Sequence, residues 1–515
     1  MLAKVLSFGL TGLDGYPVLV ETDVYNGLPA YELVGLPDAA VKESKERVRS
    51  AIKNSGFEYP AKRITVNLAP ADLKKEGPLY DLAIAVGLLA ASDQVLPDLL
   101  KYMVIFGELS LNGDVRPVNG ILPMVIEARK RGFNLMVVPW ENAQEASYIG
   151  DIRILPVKHL SELAKVLNKQ QKPAFFPQSE WNPPRQRGAA DIDFCDIRGQ
   201  EKAKRAMEIA AAGGHNILLI GPPGAGKSML AKALPGILPD FTFEEALEVT
   251  KIHSIAGELR ARDQEIVSTR PFRSPHHTSS AVAIAGGGMK SRPGEISLAH
   301  RGVLYFDELP EFGRPILEAL RQPLEDGIVS ISRANAKVIY PADFMFVASM
   351  NPCPCGNFGS GDAECRCSPN QIARYLSKIS GPLLDRIDLH VEVGKVRYDD
   401  IRGGEKQESS AAVRIRVNAA RDIQVRRYQA IGKFCNAQLS SAQLEKFCEI
   451  EPQAETLLRS AYEKLNLSAR SYTRVMLTAR TIADLEGCGT VQAAHIAEAI
   501  QYRTLDRKYW GNVYD

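Results

Sequence analysis

Apolar and polar positions along the 515-residue chain follow three successive rhythms. In residues 1–167, short runs such as PVLVETDVY, RITVNLA, YMVIFGELSL and LMVVPW read as strands. They are interspersed with stretches of helical spacing at residues 38–54, 81–91, 123–130 and 160–167, which predicts an α+β domain. Residues 168–190 (NKQQKPAFFPQSEWNPPRQRGAA) are polar and proline-rich, with no period able to bury a face, and read as a linker. Beyond it, NILLIG, GVLYFDE and FMFVASMN are unbroken apolar runs separated by helical segments, the pattern of a parallel α/β sheet covered on both faces. From about residue 400 the period is almost purely helical, at 411–428, 452–465, 468–485 and 491–503. The expected domains are therefore 1–167, a linker 168–190, an α/β core 191–398 and a C-terminal helical lid 399–515.

Composition changes this picture little. Hydrophobic content of 45% and charged content of 24% are ordinary globular values, excluding wholesale disorder and fibrous architecture. No apolar run approaches the ~18–20 residues that span a bilayer, and the first sixteen residues have neither a basic n-region nor a long apolar core. The expectation is a cytoplasmic chain without a membrane partner. Eight cysteines in such a chain argue for reduced thiols, packing or a metal site over a disulfide scaffold. A net charge of +2 means that any nucleic-acid binding must come from local basic patches.

The chemistry is concentrated in the middle third. GPPGAGKS, comprising Gly221, Pro222, Pro223, Gly224, Ala225, Gly226, Lys227 and Ser228, follows an apolar strand and precedes a helical segment. Backbone N–H groups of such a loop surround phosphate oxygens, its lysine neutralises the β/γ-phosphates and its serine reaches Mg²⁺, so ATP is the expected ligand. GVLYFDE ends in Asp307, placed to hold the magnesium, and Glu308, placed to polarise water as general base. FMFVASMN ends in Asn351, whose amide suits orienting that water, although Asn-Pro also starts turns. Arg386, Arg470 and Arg474 are candidates for the charge developing on a transferred phosphoryl group, with surface salt bridging the alternative for each.

Cys353, Cys355, Cys365 and Cys367 form two CxC pairs able to close a tetrahedral Zn²⁺ site, or simply reduced thiols in a loop. His276 and His277 are adjacent and read as structural or nucleotide-side groups rather than metal ligands.

Taken in order, these residues resemble the magnesium-chelatase-like branch of AAA+ proteins, most closely the ComM/YifB competence family. GLPAYELVGLPDAAVKESKERVR, SPHHTSSAVAIAGGG, RPGEISLAHRGVLYFDELPEF, NPCPCG and SARSYTRVMLTARTIADL carry the likeness over nearly the whole chain. The resemblance implies a hexameric ring with ATP between subunits. In it Asn351 stands at sensor 1, Arg386 at the arginine finger acting in trans, and Arg470 at sensor 2, with Arg474 a second candidate. Residues 281–300 fall where relatives carry a helix-2 insertion and 329–340 where they carry a presensor hairpin, both pointing into the pore. Lys290, Arg292, Arg333 and Lys337 on those loops would meet DNA phosphates without reading sequence, unless they are merely solvated. The activity implied is ATP-driven branch migration on single-stranded and branched DNA during natural transformation, with recombination proteins as further partners. Two other readings use the same motor: the ATPase subunit of a metal chelatase, and a remodeller of protein complexes. The N-terminal region is similar to the Lon proteolytic domain, but Leu79 and Met124 stand where that family needs serine and lysine, so no peptidase activity is expected.

Overall fold

The computed structural model describes residues 1–182, 192–259, 266–288, 291–333, 336–359, 364–396, 407–465 and 467–510. They fall into two compact units, residues 1–182 with 243–267, and residues 183–242 with 268–515.

The first unit is built on a seven-stranded mixed sheet. Its order is Ala30–Val34, Arg63–Ala69, Asp14–Tyr25, Leu2–Thr11, Met103–Ile105, Leu135–Pro139, Arg153–Val157. Strict alternation in Asp14–Tyr25 and Arg63–Ala69 turns Val18, Val20, Ile64, Val66 and Leu68 to one face. On that face lies the helix Asp81–Ala91, buried along its whole length. It can sit so close because position 87 is glycine: a Cβ there would meet Thr22 Oγ1 at 2.6 Å. The opposite face, through Phe8, Val104, Met136 and Val138, packs on the helix Ile121–Lys130. The helix expected at 38–54 is two, Ala39–Lys42 and Ser44–Asn54.

Two segments depart from the boundaries expected from sequence. The beginning of the proposed linker is bound to this unit: Phe176 N–H donates to the Ile154 carbonyl at 2.8 Å, and the Phe176 ring meets Trp140 edge-on. The helix Phe243–Ala256, counted above with the α/β core, also belongs here. Its Leu247 packs on the cluster of Ile121–Lys130, and Ser254 Oγ donates to Glu145 Oε2 at 3.0 Å. Residues 183–191 lie outside the described residues.

The second unit has a five-stranded, all-parallel sheet. The order is Phe272–Arg273, Val303–Phe306, Met345–Met350, Ile217–Ile220, Leu389–Glu392. The three central strands are wholly buried, which is why they read as continuous apolar runs rather than alternations. Their residues divide by parity between two cores. Ile217, Leu219, Val303, Tyr305, Met345 and Val347 face the helix Glu201–Gly213 and, behind it, the C-terminal helices Ser410–Tyr428, Ala469–Leu485 and Ala493–Gln501. Leu218, Ile220, Leu304, Phe306 and Phe346 face the other way. There Phe306 stacks on Phe312 with centroids 4.1 Å apart and meets Phe346 edge-on, geometry that adds about 0.5–1.5 kcal/mol per ring pair to simple burial. The chain is thus a mixed α/β protein with a C-terminal helical region. No helix among the described residues is long and apolar enough to cross a membrane.

Candidate nucleotide site

The loop between the strand Ile217–Ile220 and the helix Lys227–Ala233 lies at the C-terminal edge of the parallel sheet, where such sheets bind ligands. Gly221 has no room for a side chain, because a Cβ would overlap the Val393 carbonyl. Gly224 and Gly226 have φ of +75° and +90°, the left-handed region that turns successive N–H groups inward. Gln200 holds the loop from outside, donating through Nε2 to the carbonyls of Ala225 (3.2 Å) and Gly394 (2.6 Å).

Lys227 Nζ donates to the Gly221 and Pro222 carbonyls at 2.7 and 2.9 Å and to Asn351 Oδ1 at 3.1 Å. Burial draws the ammonium pKa below its usual value, against the opposing pull of Asp307 and Glu308. Parallel pairing of Val303–Phe306 and Ile217–Ile220 with the strand Met345–Met350 between them brings the ends of all three to one edge. Ser228 Oγ there donates to Asp307 Oδ2 at 3.0 Å, and Ser349 Oγ donates to Asp307 Oδ1. Burial pushes the Asp307 carboxyl up, but the hydroxyls of Ser349, Tyr305 and Ser228 together hold it below the usual range. Glu308 has φ +54° and ψ +53°, a left-handed backbone costly for a residue with a Cβ, and its N–H donates to Ser349 Oγ at 3.3 Å. An exposed carboxylate is thereby turned out beside Asp307.

Residues read separately from sequence are joined by hydrogen bonds in two pairs, Lys227 with Asn351 and Ser228 with Asp307, and Glu308 follows Asp307 in the chain. The three arginines stand elsewhere. Arg386 pairs with Glu325 through one terminal nitrogen and donates to the Pro382 carbonyl at 2.6 Å through the other. Arg470 is exposed and lies 3.8 Å from Asp385. Arg474 reaches inward to Asp388 Oδ1 at 3.0 Å, where that buried carboxylate also accepts the Asn216 N–H at 2.9 Å. Burial raises the Asp388 pKa, but Arg474 first and then His215 and the Asn216 amide bring it down to about 2.

The four cysteines converge. Cys353 Sγ is 3.4 Å from Cys355 Sγ and 3.7 Å from Cys365 Sγ, and all four sulfurs lie within 4.8 Å of one another without a disulfide. Backbone amides of Asn357 and Arg366 hold the Cys355 thiol down at about 6. His276 and His277 are in no such group among the described residues; their rings lie 4.1 Å apart, and His276 Nδ1 pairs with Thr278 Oγ1.

Three family models together match most of the chain: "Subunit ChlI of Mg-chelatase" over residues 20–142, "Magnesium chelatase, subunit ChlI" over 193–401, and its C-terminal part over 407–503. The chain is 46% identical to the competence protein ComM of Haemophilus influenzae over 509 residues, 98% of each chain. It is also 45% identical to the YifB protein of Salmonella typhimurium, again over 98% of each. The chain belongs to the ComM/YifB family. It is accordingly a magnesium-chelatase-like ATPase, with ATP and Mg²⁺ the ligands that this domain implies. Similarity to the magnesium-chelatase 67 kDa subunit of Chlorobaculum parvum is narrower, 31% identity over 168 residues, covering 31% of this chain and 23% of that protein.

Within this ComM/YifB chain, the described residues of 281–300 include the helix Ala281–Ala285, an antiparallel pairing of Gly286–Gly287 with Arg292–Pro293, and the helix Glu295–Leu298. Residues 329–340 lie in an antiparallel hairpin, Ile328–Arg333 with Ala336–Pro341, in which Val329 pairs with Tyr340. Arg292 is exposed. Lys290 lies outside the described residues, as do the side chains of Arg333 and Lys337.

The arginines of the helix Ser410–Tyr428 are mostly committed within the chain. Arg414 donates to the Gly236 carbonyl, Arg416 pairs with Glu208, Arg421 donates to the Ala211 and Ala212 carbonyls, and Arg427 pairs with buried Asp484. Sequence reading missed Ser349, Tyr305 and Gln200. Ser349 carried a usable signal: it stands two residues before Asn351 on the strand that leads to it, a polar position in an apolar run. Gln200 carried none, since its partners lie 25 and 194 residues away.

Proposed function

We propose that this chain assembles into a hexameric ring, binds ATP between neighbouring subunits and uses its hydrolysis to move along DNA, driving branch migration while transforming DNA is integrated. The observation that carries this reading is the end-to-end likeness to a protein whose name assigns it to competence. Two loop elements at residues 281–300 and 328–341, bearing Lys290, Arg292, Arg333 and Lys337, support it by supplying cations in the segments that relatives turn into the pore. The N-terminal unit is read as a Lon-like scaffold without peptidase activity: Met124 is fully buried among apolar neighbours and Leu79 is half-buried on the same core.

In this reading the inward N–H groups of the loop and Lys227 bind the β/γ-phosphates. The oxygen pair Ser228 and Asp307 suits a hard cation and would hold Mg²⁺, which supplies positive charge to the phosphoryl oxygens. Glu308 accepts the proton of the attacking water, and Asn351 aligns that water against Lys227. Arg386 reaches a neighbour's phosphate only after leaving Glu325, so its pairing ties finger position to subunit contact. Arg470, exposed beside Asp385, is the better placed of the two lid arginines to meet nucleotide.

The test measures ATPase with and without single-stranded, duplex and four-way-junction DNA, alongside junction migration. Stimulation by branched DNA and ATP-dependent migration, both lost in Lys227→Ala, are expected; an ATPase indifferent to every DNA would overturn the reading. A second reading, the ATPase partner of a metal chelatase, draws on the family models' names but on a relative that covers only 31% of the chain.

A further inference from the structure

The cysteine knuckle does not hang in solvent. Its first residue follows Asn351-Pro352, and Asn351 Oδ1 is one of the three acceptors of the Lys227 ammonium. Its turn is closed by the Gly356 N–H donating to the Cys353 carbonyl at 3.0 Å. Gly356, at φ +83°, lies so close to the phosphate loop that a Cβ would overlap the Pro223 ring. On its far side Phe358 meets the Tyr509 ring edge-on, and Gly359 packs on Lys508 of the C-terminal helix Thr504–Trp510. The knuckle is thus wedged between the phosphate loop and the helix Thr504–Trp510.

We propose that Cys353, Cys355, Cys365 and Cys367 bind one Zn²⁺, and that the closed knuckle holds the phosphate loop in its ATP-binding shape through Gly356 against Pro223 and Asn351 against Lys227. Zinc–sulfur bonds of about 2.3 Å in a tetrahedron place sulfurs about 3.8 Å apart. The separations of 3.4, 3.7 and 3.7 Å among Cys353, Cys355 and Cys365 match one small ion. They are too long for a disulfide bond, near 2.04 Å, and too close for sulfurs spread around an iron–sulfur cluster. Four thiolates around one divalent cation leave the site with two net negative charges, which the peptide N–H groups of Asn357 and Arg366 at Cys355, and of Cys367 at Cys365, offset in part. Without the ion, no disulfide bond ties one CxC pair to the other among the described residues, and the wedge on Pro223 loses its backing.

The proposal rests on the chain being an ATPase and not on its acting on DNA. Its test uses the full chain, purified without chelator from zinc-replete medium, with elemental analysis and binding of a fluorescent ATP analogue in the absence of DNA. About one zinc per chain and no visible absorption are expected. Cys365→Ser/Cys367→Ser should lose the metal and weaken analogue binding at least about fivefold, the lower end of coupling between linked sites. Gly356→Ala should keep the metal and still weaken binding, because the added methyl pushes on Pro223. Should the serine variant fail to fold, stripping zinc from the folded wild-type chain while following analogue binding carries the same test. Far less than one zinc per chain, iron with sulfide in its place, or undiminished analogue affinity once zinc is gone would each overturn it.

Discussion

Replacing Arg474 with alanine should unfold the second unit more easily rather than simply slow ATP turnover. The Asp388 side chain is 1% exposed and, among the described residues, pairs with the guanidinium of Arg474, itself 23% exposed, at 3.0 Å. In the intact protein the Asp388 pKa stands at about 2 against an ordinary 3.8. At about 1.4 kcal/mol per tenfold, that difference corresponds to roughly 2 kcal/mol of folding free energy. Because the folded-state value is depressed, this contribution is complete above pH 3.8 and disappears as pH falls from there through about 2. Without Arg474, only His215 and the Asn216 N–H oppose the burial that draws the carboxyl pKa upward, so at pH 7 a buried charge that has lost its cation costs up to about 3–5 kcal/mol. The sign then reverses: protonation at lower pH relieves the variant, and the loss should narrow between pH 7 and pH 5. The assay is urea unfolding in a Trp140→Phe/Trp181→Phe background, which leaves buried Trp510 as the reporter of the second unit. A midpoint lowered by about 1 M or more at pH 7 is expected for a loss of that size. Asp388→Asn/Arg474→Met should recover most of it. A loss below about 1 kcal/mol at pH 7, or one equally large at pH 5, would refute the reasoning.

The other predictions concern turnover and DNA. Glu308→Gln should bind ATP analogues as the wild type does while single-turnover hydrolysis falls at least about 100-fold; retained hydrolysis would remove Glu308 as the base. Arg470→Ala should lower ATPase without moving the urea midpoint, and a stability loss like that of Arg474→Ala would return it to a structural role. Arg386→Ala should abolish turnover but spare analogue binding, and in mixed assemblies should inactivate wild-type subunits in excess of its own fraction; strictly proportional loss would exclude action in trans. Lys290→Glu/Arg333→Glu should weaken DNA binding and reduce the slope of log affinity against log salt by about two, leaving DNA-free ATPase intact. An unchanged slope in filter binding would take both loops out of DNA contact.

Much of this protein is written in local sequence. Unbroken apolar runs at NILLIG, VLYF and MFVASM mark strands with both faces covered, and the residues that follow them, Gly221 to Ser228, Asp307 with Glu308, and Asn351, are legible because a parallel sheet delivers strand ends to one edge. The helical period of residues 411–428, 468–485 and 491–503 foretold Ser410–Tyr428, Ala469–Leu485 and Ala493–Gln501 to within two residues. Partners distant in the chain were beyond such reading. Whether an arginine is a surface charge, a structural tie or a free finger depends on what folds against it: Arg474 and Arg470 share one helix, yet one turn apart they meet buried Asp388 and solvent-facing Asp385. The allegiance of Phe243–Ala256 to the first unit, the convergence of two CxC pairs, and the seat of Gly356 on Pro223 were likewise set by packing. Periodicity reports which face of an element is buried; only the tertiary structure decides against what, because that depends on surfaces brought together from remote parts of the chain.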